Sequence, residues 1–140
     1  MKILLPIDGS DCTKRMLAYL AAHDELLGPT HDYTFFTVVA PIPSHATRFL
    51  ERGILDDYCD AQAAEVFKPV RAFAEQQHWT HRTAHVQGHA PEEITRMAEA
   101  GKYELIVMGS HGHTSLANVV LGSVASGVLA RCKLPVLLIR

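Results

Sequence analysis

Cysteine is scarce, with Cys12, Cys59 and Cys132 the only three in 140 residues. An odd number at wide, unpatterned spacing is neither a disulfide framework nor a zinc-ligand set, and it fits a reducing compartment. Long apolar runs are missing as well. The opening run at residues 3–7 is too short for a secretion signal and is cut by Pro6, and no other run approaches the ~20 residues of a membrane span. The expected location is the cytoplasm, without membrane insertion. Neither sign of charge is in excess: 13 Lys and Arg stand against 15 Asp and Glu, a formal net charge of -2. That balance argues against nucleic acid or an anionic membrane as the principal partner. Aromatic residues are only 7%, but hydrophobic residues reach 48%, enough for a real core in a chain of one domain's length. A single domain over residues 1–140 is expected.

Several motifs are absent too. There is no GxxxxGK[ST], so this is not a P-loop NTPase, and no GxGxxG follows the first apolar run, which disfavours a dinucleotide fold. HExxH, the G-x-S-x-G elbow and any Ser, His, Asp spacing of a triad are likewise missing. No zinc site and no catalytic residue is expected.

What is present alternates between two periods. Residues 2–7 form a nearly continuous apolar run ended by Asp8, Gly9 and Ser10, the pattern of a central strand buried on both faces. From Cys12 the period becomes helical, with Met16, Leu20, His23 and Leu27 on one stripe, Ala18, Ala21 and Ala22 widening it, and Gly28 and Pro29 as the stop. Residues 33–39 read as a second strand and residues 54–77 as a long helix with a stripe through Ile54, Tyr58, Phe67, Val70 and Ala74. Pro69 either kinks that helix or divides it. Between them, residues 44–53 give mixed signals. Residues 80–86 make a weaker, polar strand, and Pro91 opens a third helix with Glu92 and Glu93 at its positive end and Gly101 at its close. Residues 104–108 are the fourth strand. Leu121, Val124, Ala125, Val128 and Leu129 mark a fourth helix, and residues 136–139 a fifth strand. Five strands alternating with helices predict one α/β domain with a mainly parallel sheet.

In an open parallel sheet, ligands bind beyond the carboxyl ends of the strands, where the order reverses. The glycine-rich segment 109–115 follows the fourth strand directly, and Gly122 and Ser123 sit at the start of the fourth helix. Glycines admit an anion close to the backbone, and a helix start adds unpaired N–H groups, so the two segments can close around a phosphate chain. Asp8 can accept hydrogen bonds from ribose hydroxyls or hold a hydrated metal, or else serve as a turn former or helix cap. Ser123 can donate to phosphate or act as the cap of the fourth helix. His111 and His113 can pair with phosphate when protonated, or face solvent as neutral imidazoles. Cys12 reads as a small buried apolar residue.

The spacing Gly109-x2-Gly112-x9-Gly122-Ser123 resembles the signature of the nucleotide-binding branch of the universal stress protein family. The likeness extends through the opening residues 3–10, the strand at 104–109 and the closing residues 132–139, so it spans essentially the whole chain. It implies a five-stranded parallel sheet of order 3-2-1-4-5 with helices on both faces. It also implies a homodimer, here through antiparallel pairing of the C-terminal edge strand around Val136 and Leu138, because an apolar edge left open invites aggregation. By the same likeness Asp8 matches a position near the ribose and Val38 a position beside adenine. Met108, Gly109, His111 and Gly112 match the loop around ribose and phosphates, and Gly122, Ser123 and Val124 match its second half. The implied function is an ATP-binding stress-response or regulatory protein, with Mg2+ on the nucleotide and at most slow hydrolysis. His111 stands where some relatives carry a basic side chain. The alternatives are a dimeric adaptor that binds no nucleotide, its glycine loop recognising a protein partner or serving structure alone, and, by analogy of fold, an enzyme acting on an adenylated substrate.

Overall fold

The computed structural model describes residues 1–43, 52–112 and 121–140. Five parallel strands form one sheet: β1 (Lys2–Pro6), β2 (Asp32–Val39), β3 (Thr80–Gln87), β4 (Leu105–Gly109) and β5 (Val136–Ile139). Their spatial order is β3-β2-β1-β4-β5, the order the family resemblance implied. β1 is central, with Leu4 paired to Thr34 on one side and to Ile106 on the other. An interior strand has both ladders filled and both faces covered, which is why residues 3–5 are all apolar and all buried.

Alternation across the pleat sorts the core into two layers. Ile3, Leu5, Phe35 and Val107 point to the face covered by α1 (Asp11–Ala22) and α2 (Arg52–Gln76). Leu4, Phe36, Ile106 and Met108 point to the face covered by α3 (Ala90–Ala100) and α4 (Ser123–Arg131). At ~1.5–3 kcal/mol for each fully buried large apolar side chain, these two layers dominate the stability of the domain.

The helices differ in detail from the sequence pattern. The first stops at Ala22, and the chain turns through His23 into a single-turn helix at Asp24–Leu27. His23, Ala18 and Ala22 are exposed; the buried stripe of α1 runs through Cys12, Thr13, Met16, Leu17 and Leu20. α2 is one helix with Pro69 inside it, not two. Its buried stripe is Cys59, Ala63, Phe67, Val70 and Ala74, while Ile54 and Tyr58, placed on the stripe by their spacing, are about half exposed at 52% and 46%. The mixed signals at 44–51 fall outside the described residues. α3 follows expectation, with Pro91 in its first turn, two acidic residues there, and Ile94 and Ala98 buried. In α4, Ala125 and Val128 are buried but Leu129 is exposed. Against the sequence reading, β3 runs one residue longer, and β4 begins at Leu105 and includes Gly109. The polarity of β3 is that of an edge strand, whose side chains alternate between exposed and partly buried positions.

Tyr33 ties the amino ends of the strands together. It is wholly buried in β2, its hydroxyl donates to the Leu27 carbonyl, and the Gly28 carbonyl is 3.1 Å away. Its ring stacks on Trp79, the only tryptophan, at 4.7 Å between centroids, with Phe73 edge-on to the same indole at 5.7 Å. Burial penalises the phenolate and pushes the Tyr33 pKa up to about 12. Between pH 10 and 12 the unfolded chain therefore gives up a proton that the folded chain keeps. The stabilisation is complete below pH 10 and is lost as pH rises through the folded value. Urea midpoints measured from pH 8 to 12 should fall steeply above pH 10, and Tyr33→Phe should flatten that fall while lowering stability by about 1 kcal/mol at pH 8. An unchanged alkaline slope in Tyr33→Phe would place the titration elsewhere.

Candidate functional site

The chain leaves β1 toward one face of the sheet, into α1, and leaves β4 toward the other, into α4. The loops at the carboxyl ends of these adjacent strands therefore diverge and leave a crevice. All nine sequence-derived candidates line it. Asp8 comes from the end of β1 and Val38 from β2; Met108, Gly109, His111 and Gly112 come from β4 and its loop; Gly122, Ser123 and Val124 form the start of α4. His113, Thr114 and Ser115 lie outside the described residues.

One side of the crevice is apolar. Ile7, Phe36, Val38, Ile94, Met108 and Ala125 present carbon where a planar base can lie. The other side is built from hydrogen-bonding groups, with Asp8 at its centre. The Asp8 Oδ1 accepts the Ser10 amide at 3.0 Å and the Thr13 hydroxyl at 2.9 Å, and the Asp8 amide lies 3.3 Å from the same hydroxyl. The first of these contacts closes an Asx turn across Gly9, whose φ of +76° suits a residue without a side chain. The turn-forming role foreseen for Asp8 is thus real, and it falls to one carboxylate oxygen. The other, Oδ2, lies 2.8 Å from where a Cβ on Gly112 would stand, so Gly112 is the one residue that lets the β4 loop approach Asp8 so closely. Ser10, at the cap position of α1, makes no side-chain cap bond, and its buried Oγ has no partner.

The β4 loop is joined to the start of α4. The Gly122 amide donates to the Ser110 carbonyl at 2.7 Å, and a Cβ on Gly122 would stand 3.1 Å from that oxygen and from the His111 Cα. Gly122 is the residue before the helix, and Ser123 its first residue, so Ser123 is not the cap. With the Gly122 N–H engaged, the amides left facing outward at this helix end are those of the first turn, beginning at Ser123 and Val124. Gly109 serves packing instead: a Cβ there would be 2.8 Å from the Cys12 Cβ at the start of α1. Cys12 is buried, as its composition suggested, and its Sγ accepts from Arg15 at 3.2 Å.

Two residues of the polar side escaped the sequence reading. Thr13 carries no motif, and its contact with Asp8 depends on the turn that brings α1 back over β1. Ser110 is almost wholly buried: its amide donates to the Ile139 carbonyl at 2.8 Å, its carbonyl accepts Gly122, and its hydroxyl lies 2.9 Å from His111 Nδ1. Its place between two glycines of the spaced motif is the only signal that could have singled it out. Among the described residues no group of three His, Cys, Asp or Glu side chains could hold a metal ion, and no helix is long and apolar enough to cross a membrane.

Comparison with known proteins gives one consistent family. The model of the universal stress protein family matches residues 1–140. A universal stress protein of Thermus aquaticus is 32% identical, covering 99% of this chain and 97% of its own, and universal stress protein MJ0531 of Methanocaldococcus jannaschii is 29% identical over 99% and 81%. Among solved structures, MJ0577 of the same archaeon superposes with a TM-score of 0.80 at 27% identity, covering 99% and 94%. Two more distant structures share the fold. The universal stress protein of Archaeoglobus fulgidus in complex with dAMP has a TM-score of 0.67 at 20% identity, covering 100% and 98%. A family protein of Arabidopsis thaliana with AMP bound has 0.71 at 12%, covering 99% and 90%.

The contact between Thr13 and Asp8 is testable without any ligand. Thr13→Val keeps the shape and removes the hydroxyl that meets the carboxylate, which should lower stability by about 2 kcal/mol in urea denaturation. Asp8→Asn combined with Thr13→Val should cost much less than the sum of the single changes. Full additivity would mean that the two side chains are not coupled.

Proposed function

The chain belongs to the universal stress protein family, and from that premise we propose that its cleft binds an adenine nucleotide and that the protein acts in stress response or regulation through occupancy of the cleft. ATP is the ligand we propose, with Mg2+ carried on its phosphates, since Asp8 is the only carboxylate among the described cleft residues and does not make a metal site alone. One observation carries this reading: a single crevice has an apolar wall ending at Val38, a carboxylate at Asp8 and a helix start at Ser123. Those three surfaces suit a base, a ribose and a phosphate in turn. The dAMP and AMP complexes of the two distant relatives support the same ligand class. Binding rather than turnover is the reading, because no Lys or Arg side chain lines the described cleft to neutralise a transferring phosphoryl group.

We also propose that two copies pair through β5. This strand closes one edge of the sheet, and Val136, Leu137 and Leu138 on it are only partly buried within one chain. Antiparallel pairing across a two-fold axis covers them and satisfies the open edge.

Calorimetric titration of the nucleotide-stripped protein with ATP and magnesium should show saturable, micromolar binding. Gly122→Val should weaken that binding about tenfold or more while the circular dichroism spectrum is retained, because the new side chain forces the β4 loop and α4 apart. Unchanged affinity in a folded variant would refute the helix-end site. Sedimentation at micromolar concentration should give the mass of a dimer. A monomer would exclude pairing through β5, and a folded dimer with no nucleotide binding would favour the adaptor.

A further inference from the structure

β3 closes the sheet on the side away from β5. It is eight residues long and pairs with β2 at every position, from Thr80 opposite Asp32 to Gln87 opposite Val39. Its other edge faces no strand among the described residues, so alternate N–H and C=O groups along it point away from the sheet. No residue of β3 lines the crevice. Between Glu75 and Glu92 the sequence has no aspartate or glutamate, while it has Arg82 and four of the nine histidines, at 78, 81, 85 and 89.

The side chains of β3 divide between the two faces of the sheet. Arg82 is exposed on the face of Ala84 and Val86. His81, Thr83 and His85 share the other face, beside α2. There Arg71 of α2 lies over the Phe67 ring at 5.5 Å and donates to the Thr83 hydroxyl at 2.6 Å, which holds its guanidinium above the middle of the strand. Asp60 of α2 faces the same row and is engaged by His85 Nε2 at 2.8 Å.

We infer that β3 is a docking edge for an extended, acidic segment of a partner protein, which adds to the sheet as a sixth strand. The backbone supplies the pairing. Alternate side chains of the segment meet Arg82 on one face, and Arg71 with the imidazoles on the other. The same charge decides against a second copy of this chain, because two β3 edges set side by side bring arginine and histidine against their like. A nucleic acid would meet the cations but cannot continue the ladder of the sheet.

The test uses the full chain and a fluorescein-labelled ten-residue peptide repeating Glu-Glu-Thr-Thr, whose glutamates fall on both faces when it is extended, followed by anisotropy. Saturable binding with a dissociation constant on the order of 100 µM is expected. Arg82→Glu should weaken it about tenfold and Arg71→Gln about threefold. Both side chains are exposed, and circular dichroism checks that the variants fold. N-methylation of one alternate set of peptide amides should abolish binding, whereas methylation of the other set should not, since an added strand turns only one set toward β3. With peptide bound, the amides of residues 80–87 should exchange more slowly with solvent. No saturable binding, equal binding by the peptide with glutamine for glutamate, or indifference to both methylation patterns would overturn the inference. So would self-assembly in sedimentation that Arg82→Glu alters, which would give the edge to a second copy. Tighter binding of a single-stranded oligonucleotide with the same dependence on Arg82 would give it to nucleic acid and overturn the inference as well.

Discussion

A parallel strand at the centre of a sheet must be paired along both edges and covered on both faces, and β1 meets all four demands. Its neighbours continue the chain in opposite senses: β2 and β3 extend the sheet one way, β4 and β5 the other. Right-handed crossovers then send α1 and α2 to one face and α3 and α4 to the other. The crevice at the carboxyl ends of β1 and β4 follows from that division. No side chain has to be excavated to make it; it is where two loops part.

The parting is held to a fixed width by backbone contacts. Asp8 binds the turn into α1 with one oxygen and meets the β4 loop with the other side of its carboxylate, across a gap only glycine allows. Ser110 joins the same loop to the last strand and to α4. The result is a polar rim fastened to β1, β5 and two helices, above an apolar wall drawn mainly from one core layer, with Ile7 from the other. Recognition and folding therefore draw on the same residues. Met108 and Ala125 are core side chains that also face the crevice.

Strands were the more legible part of the sequence. The unbroken apolar run of β1 and the closing run of β5 admit little else, and the polar alternation of β3 reads correctly once its position at an edge is allowed for. Helix faces were less legible, for a physical reason. α2 covers the sheet near its start with small residues, Cys59 and Ala63, which offer less apolar surface to a pattern than the larger, exposed Ile54 and Tyr58. In α1, a buried Thr13 takes a place that the pattern gave to alanines. The site divided in the same way. Positions fixed by a spaced glycine motif were visible, whereas Thr13, whose place depends on a three-dimensional turn, was not. The motif also hid different reasons for the same residue: Gly109 makes room for Cys12, Gly112 for Asp8 and Gly122 for the Ser110 carbonyl.

The aromatic cluster at the other end of the sheet has an optical consequence. Trp79 immediately precedes β3, stacked on Tyr33 and edge-on to Phe73, on the face opposite the apolar wall of the crevice. With one indole in the chain, tryptophan emission comes from this point alone. The emission reports the packing of the core at the amino ends of the strands, whereas the crevice lies at their carboxyl ends. The molecule thus carries a built-in gauge of its own unfolding, placed outside the lining of the crevice.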